Sequence, residues 1–145
     1  MCSPFRGSLL TSQYPHACIP GHDLPLPDGA KTVAHAFGDA GYRTSWFGKW
    51  HVDGRENRDE DTRPAHQHVR RERRGGFDTW IGYENNNAQY DCWVHGHDES
   101  GREDTEPLTE KLDLYETDAL TNKMLDFIKE QKTGDDSKRR RYKAP

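Results

Sequence analysis

The sequence is short of apolar material. Of its 145 residues, 31% are hydrophobic against 32% charged, and the mean hydropathy is -1.17. Soluble domains carry about 45–50% apolar residues on a slightly broader count, so this chain is poor in core for its length. Long hydrophobic runs are lacking as well. None approaches the roughly 20 residues that a membrane-spanning helix needs, and the first residues have neither the basic start nor the apolar stretch of a signal peptide. Cysteine is scarce: Cys2, Cys18 and Cys92 cannot all pair with one another, and their spacing matches neither a disulfide framework nor a zinc knuckle. No charge of one sign dominates, and a net charge of -4 singles out no class of partner. Internal repeats are absent.

Aromatic residues are not scarce. Four Trp, six Tyr and five Phe argue against disorder, because disordered chains are short of aromatics. The length allows one ordinary domain and not two. Together these features point to a segment of a larger α/β core more than to a complete small domain.

Along the chain, Pro4 suits a first helical turn, and a short helix is expected from about Pro4 to Ser12 with Cys2 or Ser3 at its N-cap. Residues 15–29, rich in proline and glycine, read as a loop. Val33, Ala34, Phe37 and Ala40 recur at helical spacing and Gly41 supplies a stop. A short strand is then expected over Arg43–Phe47 and another over Phe77–Ile81. Residues 53–74 and 95–112 are polar enough to be read as exposed excursions, and 133–145 as a polar tail. A last helix is expected from about Thr117 to Gln131, with Leu120, Met124, Phe127 and Ile128 as its apolar face and Thr117 as its N-cap.

Two motifs carry chemistry. The first is Cys2-Ser3-Pro4-Phe5-Arg6, continued by Gly7-Ser8-Leu9-Leu10-Thr11 and Tyr14-Pro15-His16. The second is Gly48-Lys49-Trp50-His51, preceded by Ala40-Gly41-Tyr42-Arg43-Thr44. In this order and separation they resemble the two signatures of the type I, formylglycine-dependent sulfatases of the alkaline phosphatase-like superfamily. The Gly76-Phe77-Asp78 and Tyr83-Glu84-Asn85-Asn86 runs extend the resemblance over nearly the whole chain. One departure is Ser12, where that family usually has glycine.

The resemblance implies a partial three-layer α/β domain, truncated at both ends, and hydrolysis of a sulfate monoester. Cys2, oxidised to formylglycine by a formylglycine-generating enzyme, would be the nucleophile and a metal ligand. Arg6 would steady it, Lys49 would contact the sulfate as a fixed cation, and His51 would take a proton. A helix N-terminus suits an anionic nucleophile, and on a strand Lys49 and His51 would point to one face. The implied cofactor is a divalent metal, calcium in most of the family. The family's upstream Asp pair and downstream Asp-Asn pair fall outside these residues, so Met1 reads as an internal methionine taken as a start. The implied partners are a sulfate-ester small molecule or a sulfated sugar; the family is usually exported or lysosomal.

The same residues allow other readings. A phosphonate or phosphodiester hydrolase of the same superfamily can share the first motif, and a non-catalytic sulfatase-like fragment is the rival from another class. His66, His68, His95 and His97 with Cys92 invite a zinc site, but lack paired zinc-ligand spacing. Arg70–Arg74 and Lys138–Lys143 read as solvated charge and not as a nucleic-acid surface, since no stacking platform accompanies them. Trp46 and Trp50 are expected to pack in the core. Asp91, Cys92 and Trp93 are read as an insert lining a substrate pocket.

Overall fold

A computed structural model describes residues 2–54, 67–85, 88–98 and 110–133. The chain opens with helix α1 (Cys2–Thr11) and a single turn, α2 (Pro15–Cys18), inside the segment expected as loop. The N-cap position before Cys2 lies outside the described residues. Gly7 is what lets α1 and α2 meet: a Cβ there would stand 2.9 Å from Ile19 Cδ1 and 3.1 Å from Cys18 Sγ. Helix α3 (Val33–Asp39) starts at Thr32 with a reciprocal cap. The Thr32 hydroxyl accepts from Ala34 N–H at 3.2 Å, and His35 Nδ1 accepts from Thr32 N–H at 3.1 Å. Gly41 at φ 87° ends the turn after it.

Four strands form one sheet in the order β1 (Ser45–Lys49), β2 (Thr79–Tyr83), β3 (Trp93–His97), β4 (Glu110–Lys111). β1 and β2 run parallel, with Ser45 opposite Thr79 and Lys49 opposite Tyr83; the other two pairings are antiparallel. Helix α4 (Glu116–Thr133) follows and lies over β1, where Phe127 meets the Phe47 ring at 5.9 Å. The expected α/β class and the five expected elements, three helices and two strands, are present, with both strands displaced two residues towards the C-terminus. Trp50 and Trp80 are fully buried, and Trp46 packs edge-on to Trp50 at 5.1 Å, so this pair is core as expected.

The two exposed excursions do not hold where the chain is described. Val69, Arg74, His95, His97 and Leu112 are all buried. Arg74 is solvated by the protein itself: Nε donates to Val69 O at 2.9 Å, Nη1 lies 3.0 Å from His97 Nδ1, and the guanidinium stands over the Trp80 ring. A guanidinium has five N–H donors and can be buried when carbonyls and ring nitrogens meet them. His95 Nε2 accepts from Val69 N–H at 2.9 Å and His68 stacks on its ring. His95 and His97 are therefore hydrogen-bonded inside the protein, on β3, and are not residues of a polar excursion. Of the basic run, Arg70 and Arg71 are exposed, but Arg73 and Arg74 are not solvated charge. Cys92 is buried in the second core cluster, with Tyr83, Val94 and Leu112. His66, most of 53–66 and the tail after residue 133 lie outside the described residues.

Candidate active site

Cys2, Arg6 and Lys49 lie on two elements that the fold joins, and His51 follows two residues beyond the second. Cys2 is a free, exposed cysteine at the start of α1, and Ser3 and Pro4 behind it are buried. One turn on, Arg6 donates through Nη1 to the main-chain carbonyl of Lys49 at 2.6 Å, and its guanidinium lies 6.0 Å from the Trp46 ring. This bond locks α1 onto the end of β1, so Arg6 holds the lysine's backbone in place. It has further N–H donors to offer.

Strand alternation does not place His51, because β1 ends at Lys49. The chain instead turns at His51, which takes φ 58°, a left-handed conformation uncommon for a residue other than glycine. Two contacts hold this turn. His51 Nε2 lies 2.8 Å from Asp23 Oδ1, and Glu84 Oε1 accepts from Asp53 N–H at 3.1 Å. Burial lowers the pKa of His51; the hydrogen bond to Asp23 opposes this, while the Lys49 charge reinforces it. The imidazole is thereby kept in its neutral, proton-accepting form. Glu84, just after β2, is buried with Oε2 unpartnered. Burial and then the neighbouring Asp53 charge push its carboxyl up to about 8.

Asp23 had no sequence signal of its own. It sits in the proline-rich loop, at φ 57°, and reaches His51 because that loop pairs with the chain beyond the second motif. Leu26 N–H donates to Val52 O at 2.8 Å, and Pro25 bridges Asp53. Arg73 clamps the same region, donating to Asp53 Oδ1 at 2.6 Å, to Leu26 O at 2.8 Å and to Asp28. Asp23 N–H also reaches Ser3 Oγ at 3.4 Å. A residue adjacent to Cys2 therefore touches the residue that touches His51.

His22, Asp23 and His51 offer two ring nitrogens and one carboxylate oxygen within 4.8 Å of one another. Calcium takes six to eight oxygen ligands, whereas this set is mostly imidazole, the donor of softer ions. Among the described residues the donors do not fit a calcium site. An exposed free thiol at Cys2, within an intact Cys-Ser-Pro-Phe-Arg run, does fit modification at that position.

The sulfatase family model matches residues 1–138. The chain belongs to the sulfatase family. A relative, the ulvan-active sulfatase of Formosa agariphila, is 35% identical over 106 residues, covering 64% of this chain and 19% of that protein. An endo-4-O-sulfatase of Bacteroides thetaiotaomicron is 32% identical over 99 residues, 57% of this chain and 20% of that protein. The solved yidJ chain of Bacteroides fragilis superposes with a TM-score of 0.75 at 24% identity, covering 91% of this chain and 30% of that one. This sulfatase chain thus spans 12–20% of the length of the curated relatives it matches, and its fold is that of a segment of the solved chains.

Proposed function

We propose that the protein hydrolyses a sulfate monoester through formylglycine made from Cys2. The observation that supports this reading is the junction of the two motifs: Arg6 of the first bonded to Lys49 of the second at 2.6 Å, with buried His51 two residues on. A converted Cys2 supplies a geminal diol: one hydroxyl oxygen bonds to sulfur as the S–O bond to the ester's alcohol breaks and the alcohol leaves, and the other then loses its proton as the carbonyl re-forms and sulfate is expelled, which is covalent catalysis with a self-cleaving adduct. Lys49 is the fixed cation for the non-bridging oxygens, where a preorganised charge is worth most. His51, neutral and buried, is the proton acceptor. Arg6 holds the Lys49 backbone and with it the spacing between the two motifs.

The substrate we infer is a sulfated sugar, since the ulvan-active and endo-4-O-sulfatase relatives carry names of polysaccharide desulfation. A divalent metal belongs to this reading, and the diol oxygen of a converted Cys2 would be one of its ligands.

The test is co-expression with a formylglycine-generating enzyme, followed by peptide mass spectrometry and an aryl sulfate assay. The N-terminal peptide is expected to lose the mass that separates a thiol from an aldehyde, and Cys2→Ser to abolish both conversion and turnover. An unmodified Cys2 with no turnover would leave a non-catalytic sulfatase-like fragment as the better reading. Preferred cleavage of an aryl phosphodiester would make it a phosphodiester hydrolase.

A further inference from the structure

We propose that Asp23 is a positioning residue: it fixes the His51 ring in the tautomer with its proton on Nε2 and leaves Nδ1 as the accepting atom. This deepens the reading of His51 as proton acceptor and rests on it for its catalytic meaning, though the tautomer itself does not.

The geometry carries the assignment. Asp23 Oδ1 lies 2.8 Å from His51 Nε2. An ionised carboxylate can only accept, so Nε2 must donate, and a neutral imidazole has a single N–H. Nδ1 is then a bare lone pair. It is buried and has no hydrogen-bond partner among the described residues. Nothing in the described fold uses it. It is the only ring atom of His51 free to receive a proton.

Asp23 is itself held for the task. Its backbone N–H reaches Ser3 Oγ, its loop is bridged to Asp53, and Arg73 grips Leu26, Asp28 and Asp53 around it. One competitor shares the carboxylate. His22 Nε2 stands 3.3 Å from the same oxygen, its ring edge-on to His51 at 5.2 Å, but its side chain is half exposed. Lys49 is the remaining charge felt by His51, and it disfavours a second proton on the ring. In the reaction, a proton leaves the oxygen borne by residue 2 for Nδ1. The imidazole becomes imidazolium, and Nε2 keeps its proton on Asp23, which stays ionised.

The experiment is long-range nitrogen–proton NMR on the full chain labelled at histidine, with His51→Gln to assign the ring. The wild type is expected to show His51 as the Nε2–H tautomer. Asp23→Asn is expected to move the population towards Nδ1–H, because an amide can present its NH2 to the ring. On the converted enzyme, Asp23→Asn should lower kcat about 100-fold or more, the share of a correctly protonated base, with KM nearly unchanged; Asp23→Glu should restore part of it. A wild-type Nδ1–H tautomer, or an unchanged tautomer and kcat in Asp23→Asn, overturns the proposal. The spectra are read without turnover, so an inactive but correctly tautomeric chain would count against the sulfatase reading alone.

Discussion

Ser12 follows the last residue of α1 at φ 58°, with its N–H on Ser8 O at 2.8 Å. A left-handed conformation brings the Cβ close to a carbonyl and is the position where glycine sits without strain. This gives a physical reason for the glycine usual at that place in the family. Ser12→Gly is expected to stabilise the chain by about 1 kcal/mol, the lower end of the left-handed penalty for a side chain. Thermal unfolding of the two proteins would check it, and an unchanged or lower midpoint would contradict it. At this scale the sequence was uneven in what it revealed. Cys2, Arg6, Lys49 and His51 could be named because each lies in a motif. Asp23 could not, since a carboxylate in an aperiodic loop looks the same whether it meets solvent or an imidazole. The turn at His51 was equally hidden, because Gly-Lys-Trp-His reads as continuous strand until the backbone bends.

Helix α4 shows how an apolar stripe can be misassigned while the helix itself is right. Leu120, Met124, Phe127 and Ile128 were expected to face the core, yet Met124 and Ile128 are 40% and 43% exposed. The ridge that touches the sheet is Glu116, Leu120, Lys123, Phe127 and Gln131. Glu116 accepts from the Tyr83 hydroxyl, Leu120 packs on the second core cluster, Lys123 pairs with Glu110 at 2.8 Å, and Gln131 accepts from Arg43. Polar residues share this ridge because strand ends and neighbouring charges meet them, which hydrophobic spacing alone cannot anticipate. Accordingly, Phe127→Ala should cost about 1–3 kcal/mol, less than a full core truncation because the ring is half-buried. Met124→Ala should stay within about 0.5 kcal/mol, as surface changes do. Equal losses in chemical denaturation would mean that the helix packs by a different face. β3 was missed for a related reason. Trp93-Val-His-Gly-His97 carries two histidines that look solvent-facing, but Val69 N–H, Phe77 O and Arg74 give them partners inside the protein.

Across the whole molecule two buried groups titrate against each other. Glu84 keeps its proton in the folded chain up to about 8, against 4.5 as its ordinary value. The folded state then holds more protons than the unfolded one above about 4.5, and stability falls as pH rises through that window. Burial, followed by the nearby His68 and Arg74 charges, lowers His95 to about 3 from 6.5. Below 6.5 the unfolded chain takes up the proton that folded His95 refuses, so stability falls as pH drops towards 3. The two trends oppose each other between about 4.5 and 6.5, and each pH unit outside that window costs at most about 1.4 kcal/mol per group. Thermal midpoints from pH 4 to 8 should peak there. Glu84→Gln should flatten the alkaline limb and leave the acid one, and a midpoint climbing steadily to pH 8 would refute this account. The α/β class was legible from the alternation of helix and strand signals, and the family from two spaced motifs. The pairing order of the sheet was not, because it depends on β3 and β4 emerging from polar sequence.

β1 lies at one edge of the sheet among the described residues. Trp50 N–H bonds to Tyr83 O at 2.7 Å, so by strand alternation the main-chain groups of Lys49 face away from β2. Arg6 meets the Lys49 carbonyl on that side, so the guanidinium that joins the two motifs takes, at this position, the place that the N–H of a neighbouring strand would hold.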